Sequence, residues 1–174
     1  MTSPRASGPL AAALSWLGLV AACSFRSPPE WETVLQEVRT RYPDVPQVSV
    51  EELEAALAGP DAPLLLDARA REEFEQSHLA GALPAPDAES VLEAVTTLAP
   101  EREIVVYCSV GMRSSDLART LRERGFAASN LEGGIFAWAN AGHATYSGER
   151  REDRVHPYDE RWGALLAPER RASP

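Results

Sequence analysis

The sequence predicts an α/β protein, a central parallel sheet covered by helices on both faces, with an added N-terminal helix and a C-terminal tail. Three observations carry that reading. Short apolar runs of strand length recur at Leu64-Leu65-Leu66 and Ile104-Val105-Val106-Tyr107. They are continuous rather than alternating, as in strands buried on both sides. Between them lie segments with apolar residues at helical spacing, and strand–helix alternation builds a parallel sheet.

The elements follow in order. Glu30–Tyr42 has apolar side chains at Trp31, Val34, Leu35, Val38 and Tyr42, which is helical spacing. Pro43 and Pro46 end it, so the N-terminal helical region is placed at 30–45. Gln47–Val50 is expected to be a short strand. Ser49 with Glu52 forms a capping box that opens a helix through Leu57, and Gly59-Pro60 breaks it. Leu64–Leu66 is a buried strand ending at Asp67, followed by a helix through Arg71–Phe74. Ala80–Pro84 is a turn and a brief strand, and Ala88–Leu98 is helical. Ile104–Tyr107 is the central strand, and Ser114–Arg124 the helix behind it, capped by Gly125. Phe126–Leu131 and Gly134–Ala141 are the last strand and helix of a domain spanning 46–143. Residues 144–174 are expected to form an extension with a short amphipathic helix packing back on the domain.

Composition narrows the function. The 174 residues suit one domain of ordinary size, and 44% hydrophobic residues suffice for a core. A net charge of −9 argues against a nucleic-acid partner, because phosphate binding needs a basic surface. All 17 basic residues are Arg, so Schiff-base chemistry on a lysine is excluded. The two cysteines, Cys23 and Cys108, do not form a disulfide framework. The scattered His78, His143 and His156 give no zinc-site spacing, so neither metal nor cofactor is expected.

Cys108 stands at the carboxyl end of the central strand, where ligands bind in such folds. The loop Cys108-Ser109-Val110-Gly111-Met112-Arg113-Ser114 runs into a helix. Backbone N–H groups of that loop and of the helix start are expected to converge on the thiol and favour its anionic form. A thiolate so held is a nucleophile. Gly111 lets the backbone turn inward, and Val110 and Met112 either point away or make an apolar rim. A strand-end cysteine without such a loop reads as a small buried hydrophobe. Asp67 and Arg69 admit two readings, substrate contacts or a fold-stabilising pair, with the pair favoured. His78 reads as structural, and Phe136 and Trp138 as core.

Three segments together resemble the rhodanese family of sulfurtransferase domains: Leu65 to Phe74, with Asp67-Ala68-Arg69 and Glu73-Phe74; His78-Leu79-Ala80-Gly81-Ala82; and Cys108 to Ser114 followed by Leu131-Glu132-Gly133-Gly134-Ile135-Phe136-Ala137-Trp138. Ser77 stands where the family has Gly. The resemblance covers about residues 47–143. It implies that Cys108 attacks a sulfane sulfur donor, carries a persulfide, and passes the sulfur to cyanide, a thiol or a protein acceptor. It also implies that Arg113 orders the loop by pairing with a carboxylate beneath it. Arg113 is the loop's one cation, which disfavours doubly charged thiosulfate and favours a thiol persulfide or polysulfide as donor. A non-turnover sulfur carrier or a protein-binding module of the same family is the competing reading. A cysteine phosphatase resembles Cys-x5-Arg, which here would place arginine at position 114, occupied by Ser114.

The first residues read as an address. Leu10–Ala22 is apolar over 13 residues, short of the about 20 that cross a bilayer, and fits a signal peptide spanning 1–22. Leu19-Val20-Ala21-Ala22-Cys23 resembles the lipobox of bacterial lipoproteins. That implies cleavage before Cys23 and lipid on it, with 23–29 as tether. The domain would then be exported and held at a membrane, on the periplasmic or outer face. Cys108 would be the one thiol left, needing shielding, reduction or a persulfide in an oxidising compartment.

Overall fold

A computed structural model describes residues 28–98 and 101–173. The expected signal peptide, Cys23 and most of the tether lie outside the described residues. Helix α1 (Trp31–Arg41) buries Val34 and Val38, one turn apart, against the domain. Strand β1 is only Gln47–Val48. The expected continuation to Val50 is overruled by the capping box: Ser49 Oγ accepts from Glu52 N–H at 3.2 Å, and Glu52 Oε2 accepts from Ser49 N–H at 2.8 Å. Ser49 is thereby the N-cap, and Val50 opens α2 (Val50–Leu57).

Strand β2 (Leu64–Asp67) leads to α3 (Arg71–Gln76), and β3 (Leu83–Pro84) to α4 (Ala88–Leu98). Strand β4 (Ile104–Tyr107) leads to α5 (Met112–Glu123), and β5 (Ala128–Leu131) to α6 (Gly134–Asn140). The five strands form one parallel sheet in the order β1-β5-β4-β2-β3. In register, Leu66 faces Val106 and Asp67 faces Tyr107, so β4 is central. All four residues of β2 and of β4 are buried, as two covered faces require. This is the expected fold class.

Boundaries near the site move as well. α5 begins at Met112 rather than Ser114, because Gly111 at φ +103° turns the chain and its carbonyl accepts from Ser115 N–H at 3.2 Å. Met112 and Arg113 therefore lie in the first helical turn. β5 begins at Ala128 rather than Phe126, because Phe126 N–H bonds back to Leu121 O at 3.1 Å.

The extension is more structured than expected. It forms a hairpin of β6 (Thr145–Ser147) and β7 (Arg150–Glu152), which the sequence reading did not foresee, then the four-residue α7 (Glu160–Gly163). Tyr146 exchanges both backbone hydrogen bonds with His78 at 2.8 Å each. Val155, Leu165 and Leu166 pack in one apolar cluster with Leu65, Val105 and Phe136. Burying each leucine contributes about 1.5–3 kcal/mol, so the extension is part of the fold. Among the described residues no helix is long and apolar enough to cross a membrane.

Candidate active site

Strand β4 delivers Cys108 to the carboxyl end of the sheet, and the loop from Cys108 to Gly111 is fixed from behind by α6. Ile135 N–H donates to Cys108 O at 2.8 Å, and Phe136 N–H to Ser109 O at 3.1 Å. That approach needs Gly134: a Cβ there would lie 2.2 Å from Cys108 O. With both carbonyls drawn toward α6, the trans-planar peptides turn the N–H groups of Ser109 and Val110 away from it. Gly111 N–H closes on Cys108 Sγ at 3.2 Å. It is the one amide of the expected ring that hydrogen-bonds the sulfur. Gly111 suits the left-handed turn this requires, and a Cβ would also press Asn130 Nδ2 at 3.1 Å.

Cys108 is almost fully buried and forms part of a cavity of about 170 Å³. Val110 and Met112 supply apolar lining, with Ser109 and Arg113 beside them. Tyr158 and Trp162, both from the extension, complete the wall. Ser114 does not line the cavity. It is fully buried, and its hydroxyl donates to Asn130 Oδ1, which ties α5 to β5. The early start of α5 puts the Ser114 side chain on the inner face, away from the cavity.

Arg113 forks onto Glu73 of α3, with Nη1 at 2.8 Å from Oε2 and Nη2 at 3.0 Å from Oε1. Ser109 Oγ sits between them, donating to Glu73 Oε1 at 3.1 Å and accepting from Arg113 Nη2 at 3.0 Å. Glu73 Oε2 also accepts from Ala70 N–H at 3.0 Å. Burial works to raise the Glu73 carboxyl. The hydrogen bonds and charge of Arg113, with Ala70 N–H and Arg69, outweigh it and hold the carboxyl below its ordinary value. Burial works against the Arg113 cation, but Glu73 and Cys108 outweigh it, and the guanidinium is held more firmly protonated than usual. Glu73 was not singled out from sequence, although it stands in the Glu73-Phe74 motif.

Asp67 and Arg69 do not line the cavity. They form a buried fork at the end of β2, with Arg69 Nη2 2.7 Å from Asp67 Oδ2 and Nε 2.9 Å from Oδ1. Arg69 Nη2 also donates to Ser77 O, while Nη1 has no partner among the described residues. The geometry is that of the fold-stabilising pair. His78 is structural as well, its Nδ1 2.8 Å from Phe74 O and its ring stacked on Phe74. Cys23 lies outside the described residues. Among the described residues no group of three or more His, Cys, Asp or Glu is gathered as a metal site.

The site can present a sulfur nucleophile at the floor of a small apolar cavity, beside a cation already neutralised by its own carboxylate. Comparison with known proteins agrees with that chemistry. The sequence profile of the rhodanese-like domain matches residues 49–141. A sulfurtransferase of Allochromatium vinosum is 32% identical over 99 residues, 56% of this chain and 92% of that protein. The rhodanese-like domain of Anabaena sp. Alr3790 superposes with a TM-score of 0.52 at 28% identity, covering 66% of this chain and 89% of that one. A thiosulfate sulfurtransferase of Pseudomonas aeruginosa superposes with a TM-score of 0.58 at 25% identity, covering 75% of this chain but 25% of that one. The chain belongs to the rhodanese-like domain family, and its sulfurtransferase relatives support sulfur transfer in general.

Proposed function

We propose that the protein is an exported, lipid-anchored sulfurtransferase that carries a persulfide on Cys108 and takes its sulfur from a thiol persulfide or polysulfide. The single observation behind this reading is Cys108 Sγ under Gly111 N–H at the floor of a cavity whose nearby cation is already paired. The Cys108 thiolate attacks the outer sulfur of R–S–S–H. The new Sγ–S bond forms as the donor's S–S bond breaks, the electron pair of that bond leaves on RS⁻, and the proton stays on the transferred sulfur. No net oxidation occurs. A second nucleophile then takes that sulfur and returns the Cys108 thiolate; with cyanide the product is thiocyanate. Thiosulfate fits less well, because its two negative charges would meet a guanidinium engaged by Glu73. A phosphoryl group meets the same obstacle.

Anchoring rests on Leu10–Ala22 and on Cys23 after two small residues. Several acyl chains on Cys23 would hold the domain at a membrane face.

Intact mass and cyanolysis test the reading. The wild type is expected to gain one sulfur atom from glutathione persulfide and to turn over into thiocyanate. Cys108→Ser is expected to do neither, with a rate loss of at least about a thousandfold. Loading without turnover would make the protein a carrier, and loading of Cys108→Ser would remove the nucleophile from the proposal. Protein recovered from membranes is expected to carry lipid on Cys23, and Cys23→Ser to be released from them.

A further inference from the structure

The family match ends at residue 141, yet the cavity over Cys108 is finished by residues beyond it. The segment that does this is anchored at both ends. Val155 N–H donates to Arg170 O at 2.8 Å, and Ala172 N–H to Val155 O at 3.0 Å. Asn140 of α6 holds Leu165 O at 2.8 Å and Ala167 N–H at 2.9 Å. Between these anchors the chain turns at Pro157-Tyr158.

Tyr158 is the one non-glycine residue with positive φ among the described residues, at +66°. A bulky aromatic side chain is disfavoured there, and a glycine would make the same turn freely. The turn is held by Tyr158 N–H donating to His156 Nδ1 at 3.0 Å and by Asp159, whose carboxylate caps α7 through Trp162 N–H at 2.7 Å. The result is a half-exposed ring with the Arg113 guanidinium 5.0 Å from its centre. Arg113 is thus forked onto Glu73 and lies over the ring of Tyr158.

Resting on the reading that Cys108 accepts sulfur, we propose that Tyr158 and Trp162 are specificity-determining residues: they seat the carbon-bearing part of an organic persulfide and exclude doubly charged inorganic donors. A cavity of about 170 Å³ holds the reacting sulfurs and a few carbons. It is smaller than the roughly 300 Å³ of sites that enclose a whole ligand, so the rest of the donor lies outside, across the exposed ring of Tyr158. Trp162 gives the cavity a second aromatic surface. Shielding the guanidinium face keeps the apolar seat from doubling as an anion seat.

Tyr158→Gly and Tyr158→Phe are the discriminating variants. The glycine removes the ring at a position whose φ suits it, so unfolding stability is expected to hold. With benzyl persulfide as donor and cyanide as acceptor, kcat/KM is expected to fall about tenfold in Tyr158→Gly while thiosulfate turnover holds or rises. Tyr158→Phe is expected to keep the wild-type preference. A second readout needs no sulfur transfer: the ratio of Cys108 alkylation rates by N-benzyl iodoacetamide and by iodoacetate is expected to narrow in Tyr158→Gly. Equal loss for both donors, or unchanged ratios in both readouts, overturns the proposal. If the wild type takes sulfur from no donor, the functional reading falls and the alkylation ratio alone decides whether the wall selects.

Discussion

Asp67–Arg69 and Glu73–Arg113 are both two-pronged arginine–carboxylate forks, but one is sealed and the other has an open side. The Asp67 and Arg69 side chains are 0% exposed, whereas Arg113 is 38% exposed above a Glu73 that is 4% exposed. The inner fork closes over two residues and also takes Arg69 N–H on Asp67 Oδ1 at 3.0 Å, so it fixes how the chain leaves β2 for α3. The outer fork joins residues forty apart, α3 to α5, and traps the Ser109 hydroxyl between its partners. Similar chemistry therefore does two jobs. A local, dry pair sets a turn of the fold, and a distant, half-wet pair sets the shape of the loop that carries Cys108.

The largest effect is expected at the inner fork. Arg69→Ala leaves Asp67 charged, unpaired and without water, which costs about 3–5 kcal/mol. Urea unfolding measures it. Sulfur loading per folded molecule is expected to change little, because neither Asp67 nor Arg69 lines the cavity. A loss of under about 1 kcal/mol would mean that water reaches the pair, and the contrast with the outer fork would vanish.

At the outer fork the balance is expected to reverse. Arg113→Ala costs only about 1–3 kcal/mol, since solvent screens the exposed guanidinium and Glu73 keeps its bonds to Ser109 and Ala70. The rate of sulfur loading on Cys108 is expected to drop more steeply, about 10–100-fold, because the loop loses the Arg113 arm of the clamp on Ser109. Arg113→Lys is expected not to restore it, as an ammonium cannot fork onto both carboxylate oxygens. Full activity in Arg113→Lys would show that charge matters here and geometry does not.

These contrasts mirror what was legible in the chain. The continuous apolar runs of β2 and β4 reveal the sheet, because strands covered on both faces need no alternation. They also place Cys108 at a strand end. That Arg113 needs a carboxylate follows from the resemblance, but Glu72, Glu73 and Glu75 all stand within α3, and which one faces inward depends on where the helix begins. The direction of the Ser114 side chain was hidden for a similar reason: a helix start two residues early turns it onto Asn130. Tyr158 and Trp162 stand in apolar stretches of the extension, but nothing local puts them over Cys108. Their place depends on Asn140 gripping Leu165 and on a hairpin of polar residues, contacts between distant segments that no periodicity encodes.

The smallest expected effect is a dependence on acid that belongs to the outer fork. Glu73 is held below the ordinary carboxyl value of 4.5 in the folded protein, despite its burial, by Arg113, Ala70 N–H and Arg69. In the unfolded chain it returns to that ordinary value. The folded state therefore binds the proton less readily, and the stabilisation is complete above pH 4.5. As pH falls below that value the unfolded carboxyl takes up its proton first, and the gain is lost as the folded carboxyl follows. Glu73→Gln keeps the shape of the side chain and removes the titration. Its stability is expected to lie below the wild type at neutral pH, and the gap to close as pH falls below the ordinary carboxyl value. Urea unfolding of both proteins above and below that value measures the gap. A gap that stays constant would mean that Glu73 clamps the loop by shape alone and that its charge contributes nothing to holding Arg113.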